Sequence, residues 1–157
     1  MPNVGPNPKA RKAAADGLAK LLADSYAVYL KTHGYHWNVR GSNFAQLHTL
    51  FMAQYTEMWT AIDEVAERIR ALGELAPQGY VSFGKLSAIK DGDPANKAEG
   101  MVKDLISSHE TLIGTLYATL PAAQEAGDEV TAGLLTDRLT AHEKHAWMLR
   151  ATLDSET

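Results

Sequence analysis

The chain contains no cysteine. That single absence excludes disulfide scaffolds, zinc knuckles, iron–sulfur ligation and thiol nucleophiles together. Long apolar runs are missing too, and nothing approaches the roughly 20 residues that a membrane span requires. The opening Met1-Pro2-Asn3-Val4-Gly5-Pro6-Asn7-Pro8 has neither a charged n-region nor an apolar h-region, so no signal peptide is expected. Excess positive charge is also lacking. Fifteen Lys and Arg against nineteen Asp and Glu leave −4 at pH 7, the wrong sign for a polycation that seeks nucleic acid. These absences favour a cytoplasmic protein. What the chain does have is length for one domain over residues 1–157, an ordinary hydrophobic content of 45%, and six histidines. Without cysteine, those histidines are its softest metal ligands.

Helical periodicity dominates and the strand signal is nearly absent. Residues 1–8 read as a short mobile tail, with Asn7 as a cap and Pro8 in the first turn. Leu18, Leu22, Tyr26, Tyr29, His33 and His36/Trp37 then recur every three or four residues. After Gly41, Ser42 or Asn43 can cap a second helix carrying Phe44, Leu47, Phe51, Tyr55, Met58, Ile62, Val65 and Ile69, closed by Gly73. Asp93-Pro94 is expected to start a third helix that Pro121 bends or interrupts. Gly127-Asp128 precedes a fourth, with Leu135, Leu139, His142, Ala146 and Leu149 on one face. Short first and last connections make neighbouring helices antiparallel. The long stretch over 73–93 must cross the bundle, with a short helix near Phe83 to Ile89. The expected fold is all-α, a ferritin-like four-helix bundle with one long crossover.

Ferritin-like bundles commonly hold two irons through Glu-x-x-His motifs on two helices. No glutamate of this chain has a histidine three residues on. Any iron site must be built differently. On the second helix, His48, Met52, Trp59, Asp63 and Glu67 form a stripe beside the core stripe, mixing bulky apolar groups with possible ligands. His48 and Asp63 stand ~22 Å apart along a helix, too far to share an ion. Pairing two copies antiparallel about a two-fold axis near residue 57 or 58 removes the difficulty. The numbers of His48 and Glu67 sum to the same value as those of Met52 and Asp63, so one axis aligns both pairs, twice. His36, folded back by the following turn, is a natural additional ligand. Imidazoles with carboxylates suit Fe(II) and also admit zinc or manganese. Hydrogen-bonded core histidines, and carboxylates paired with Arg68 and Arg70, remain open alternatives.

The run Lys31-Thr32-His33-Gly34-Tyr35-His36-Trp37-Asn38-Val39-Arg40-Gly41, the sequel Leu47-His48, Phe51 and Tyr55, and Asp63-Glu64-Val65-Ala66-Glu67-Arg68 closely resemble the Dps family, the mini-ferritins also called DNA-binding proteins from starved cells. His142-Glu143-Lys144-His145-Ala146-Trp147 fits as well, and the likeness covers roughly residues 18–153. The resemblance implies a dodecameric shell that oxidises Fe(II), preferentially with hydrogen peroxide, and stores ferric mineral. It implies ligands His36 and His48 from one subunit with Asp63 and Glu67 from its partner, and Trp37 and Trp59 nearby. Two residues depart from the family pattern. Met52 stands where the family usually has Asp or Glu, and Gly133 stands where many members have Asp at the iron-entry pore. Asp128 and Glu129 are the pore candidates. A rival expectation is a DNA-binding nucleoid shell whose tail would use Lys9, Arg11 and Lys12.

Overall fold

The computed structural model describes residues 4–154; residues 1–3 of the expected tail lie outside that span. Helix α1 (Pro8–Asn38) begins as read: Asn7 Oδ1 accepts from the Ala10 amide at 2.9 Å, with proline in the first turn. The adjoining Val4 carbonyl accepts from the Arg11 guanidinium, which ties the described part of the tail onto α1. A turn over residues 39–43, allowed by Gly41 at φ +111°, leads into α2 (Phe44–Ala71). Asn43 precedes α2, but its side chain makes no capping bond. Gly73, at φ +97°, ends α2.

The crossover holds one short helix, α3 (Tyr80–Leu86), displaced by about one turn from the expected position. Its anchor is Asp24 on α1, fully buried, which accepts from Ser87 Oγ and the Ala88 amide, both at 2.8 Å, and from Thr115 Oγ1 at 3.2 Å. Tyr26 stacks on Phe83 at 5.0 Å. Helix α4 (Ala98–Glu125) starts after Lys97, not at Asp93-Pro94. Asp93 instead closes a local turn, its carboxylate accepting from the Ala95 amide and its carbonyl from the Asn96 amide. Pro121 does not interrupt α4. The Tyr117 carbonyl loses its amide partner there, and Tyr117 itself lies open to solvent, so water can replace the bond. Helix α5 (Glu129–Ala151) is capped by Asp128, whose Oδ1 accepts from the Thr131 amide at 3.1 Å.

Four long helices thus form an all-α, ferritin-like bundle with one crossover. Its apolar core lies in two parts. One gathers Leu18, Leu22, Met58, Ile62, Leu112, Leu116 and Leu135; the other gathers Tyr35, Leu47, Phe51, Met101, Leu105 and Leu149. Between them in sequence, on three helices, lies a polar layer. Arg138 of α5 grips Glu57 of α2 with both terminal guanidinium nitrogens, at 2.5 and 2.9 Å. Its Nη2 also donates to His142 Nε2 at 3.0 Å. His145 Nε2 donates to Glu57 Oε1 at 2.8 Å, and His109 and His142 meet through their Nδ1 atoms at 3.0 Å.

Candidate metal centre

The turn after α1 brings His36 and His48 together. Their rings stack 3.7 Å apart and nearly parallel, at 12°. Each Nδ1–H donates to the other residue's backbone carbonyl: His36 to His48 at 2.6 Å, and His48 to His36 at 2.7 Å. A carbonyl can only accept, so the clasp places the proton on Nδ1 of both rings. Nε2 is left as the one nitrogen of each imidazole able to bind a metal. A backbone carbonyl on the far nitrogen is how metal-bound histidines are commonly oriented. Phe44 stacks on His48 at 5.0 Å, and Tyr55 stands edge-on to His36 at 5.3 Å. His33 packs between Trp37, at 4.2 Å, and Tyr55, at 4.5 Å; burial, and then the neighbouring His36, lower its pKa.

Asp63 and Glu67 lie far along α2, one turn from each other and exposed. Neither is spent on the arginines beside it. Arg68 pairs with Asp128 at 2.8 Å and with Thr131, and Arg70 donates to the Glu74 carbonyl. The structure therefore unites the two histidines in one place and the two carboxylates in another, but not the pairs with each other. Among the described residues of one chain, no three His, Asp or Glu side chains are grouped to hold a metal ion.

The face beside these two pairs is apolar and open. Trp37 is 64% exposed, Trp59 60% and Met52 51%, an unusual amount of large apolar surface to leave in water. Of the pore candidates, Glu129 is exposed, whereas Asp128 is buried and committed to its cap and to Arg68. The polar layer around Arg138 was not singled out from the sequence. Its signal was there, in Gln54/Glu57 and His142/His145, each three residues apart among core positions.

This fold, four long helices with a single crossover, defines a ferritin-like protein, and the ferritin-like domain model matches residues 15–156. The chain belongs to the Dps family. It is 38% identical over 143 residues to DNA protection during starvation protein 2 of Bacillus anthracis, covering 91% of this chain and 98% of that protein. Its fold matches the Dps protein of Vibrio cholerae O1, described as a member of the ferritin-like diiron-carboxylate proteins, with a TM-score of 0.93, 32% identity, and 98% and 97% of the two chains covered. DpsC of Streptomyces coelicolor matches with a TM-score of 0.95 at 28% identity, over 100% of this chain and 92% of that one.

Proposed function

We propose that the protein sequesters iron as a cytoplasmic dodecameric mini-ferritin, oxidising Fe(II) at sites shared between subunits and storing the ferric product inside the shell. One observation carries the reading. The His36/His48 clasp presents two free Nε2 atoms, while two unpaired carboxylates wait ~22 Å away on the same exposed face. Antiparallel pairing of two α2 helices completes the site, with His36 and His48 of one subunit and Asp63 and Glu67 of the partner subunit as ligands. Zinc and manganese suit the same donors. Trp37, Trp59 and Met52 are buried by the same pairing, which explains the apolar face.

Fe(II) enters past Glu129 and binds at these sites. Hydrogen peroxide, the oxidant in this reading, takes two electrons from two Fe(II), its O–O bond breaks, and both oxygens leave as hydroxide. Consumption of iron and peroxide together removes the ingredients of hydroxyl-radical chemistry, which would protect DNA without contact. Direct DNA binding is the less favoured reading. Of the basic residues near the N-terminus, Arg11 is buried and donates to Val4, Lys12 pairs with Asp16, and the net charge of −4 repels phosphate. The test is kinetic. Wild type should consume one peroxide for two Fe(II) in a fast phase that His36→Ala with Glu67→Ala abolishes. Equal rates in wild type and the double variant would refute the site.

A further inference from the structure

Ferritin-like bundles commonly hold metal in the bundle core, through carboxylates and histidines spaced i,i+3 on facing helices. This chain keeps the spacing but not the motif. Gln54 and Glu57 on α2 face His142 and His145 on α5, between the two parts of the apolar core. Two of the donor atoms meet at one nitrogen, Arg138 Nη2, and the third meets one of those two. Glu57 Oε1 lies 2.9 Å from Nη2 and His142 Nε2 lies 3.0 Å from it, and His145 Nε2 lies 2.8 Å from that same Glu57 oxygen.

Two imidazoles and a carboxylate are a common donor set for Fe(II) and zinc. The His142 and His145 rings are 5.9 Å apart, close to the ~5 Å that two imidazoles subtend on one tetrahedral ion with bonds of about 2.1 Å. The support around the donors is also of the kind metal sites use. Arginine only donates, so His142 Nε2 accepts from it and carries its proton on Nδ1. That Nδ1–H is held by His109 Nδ1 at 3.0 Å, orienting the ring through its far nitrogen. The proton of His109 is thereby forced to Nε2, which is fully buried and has no partner. Such an unpaired donor costs stability in a purely structural network.

We propose that the Arg138 guanidinium stands in for a metal ion in a latent core site formed by Glu57, His142 and His145, and that by filling the site it excludes divalent transition metals from the bundle interior. Its single positive charge, fixed to the chain, neutralises Glu57 and occupies His142 Nε2. That occupation is why Glu57 and His142 are turned onto Arg138, with His145 turned onto Glu57, and the three donors do not converge on an empty point. The site is independent of the one between subunits, so either assignment can fail without the other.

Arg138→Ala tests the proposal, with Co(II) as the probe and the assembled protein as the sample. The variant should bind one more Co(II) per chain than wild type, gain visible absorption of nitrogen- and oxygen-ligated cobalt, and lose both when His142→Ala is added. Arg138→Met, which restores packing without charge, is measured alongside and should behave the same way. In wild type, His142→Ala should leave the Co(II) count unchanged, a comparison that stands whichever Arg138 variants assemble. Two results would overturn the proposal. One is an assembled Arg138 variant that binds no more Co(II) than wild type. The other is a wild-type count that falls with His142→Ala, which would show the core already open to metal.

Discussion

Acid should weaken this fold in a window set by two histidines. His109 and His142 are fully buried. For His109, burial is the main cause of a pKa lowered to about 3; the electrostatic influence of His145 and Arg138 adds to it, and Glu57 on α2 opposes it. For His142, burial again leads, followed by His109, Arg138 and His145, and its pKa falls well below the usual value. Both rings are therefore neutral in the folded chain, whereas in the unfolded chain each takes up a proton near pH 6.5. Stability is complete above pH 6.5 and falls as the pH drops towards 3, because only the unfolded state gains protons. At pH 5 His109 alone costs about 2 kcal/mol, and His142 acts in the same direction. Glu57 adds nothing between pH 7 and pH 5. Burial pushes its pKa up, but hydrogen bonds from His145 and Arg138 outweigh that and pull it down from 4.5 to about 2, so its contribution is lost only as the pH falls through that lower range. With a urea slope of roughly 2 kcal/mol per molar, the unfolding midpoint should drop by at least about 1 M between pH 7 and pH 5. The assay is urea unfolding followed by circular dichroism at one fixed protein concentration, since assembly makes stability concentration-dependent. Replacing both rings, His109→Leu with His142→Leu, should flatten the dependence. A midpoint that does not move in wild type, or a slope that survives in the double variant, would refute the reasoning.

Two further outcomes follow from the geometry. Asp24→Ala removes the acceptor of the Ser87, Ala88 and Thr115 bonds and should cost about 3 kcal/mol in thermal or urea unfolding, with faster amide exchange over the crossover. Asp24→Asn, which keeps an acceptor oxygen, should cost less; an alanine variant as stable as wild type would show that burying this unpaired carboxylate cancels its bonds. Met52→Glu places a hard oxygen donor one turn from His48 and should tighten anaerobic Fe(II) binding, read by isothermal calorimetry. Unchanged affinity would show that position 52 does not reach the metal.

The bundle was legible because its signals are local. Asn7-Pro8 and Gly73 each act through the first or last turn of one helix, and they sit where the chain reads them. The start of α4 was misplaced because Asp93-Pro94 also suits a turn, and only the extended backbone at Lys97 decides between the two. The crossover helix slipped for a different reason: Asp24, over sixty positions earlier in the chain, fixes its end at Ser87. At the site, the nearness of His36 to His48 followed from the tight turn. The reciprocal carbonyl clasp did not, since it depends on two ring rotations. The core layer escaped because its histidines were read singly. His142 passed as one position on an apolar stripe, and Glu57 became meaningful only with Arg138 and His145 of α5 packed on it.

The central claim is that iron is held between subunits, not within one. Crystals of the assembled protein, soaked with Fe(II) without oxygen, would locate it by anomalous scattering at the iron edge. A peak is expected about 2.1 Å from the Nε2 atoms of His36 and His48, with Asp63 of the partner subunit and Glu67 of the partner subunit completing it. Iron bound wholly by the residues of one chain, or a peak that leaves His36 and His48 untouched, would contradict it.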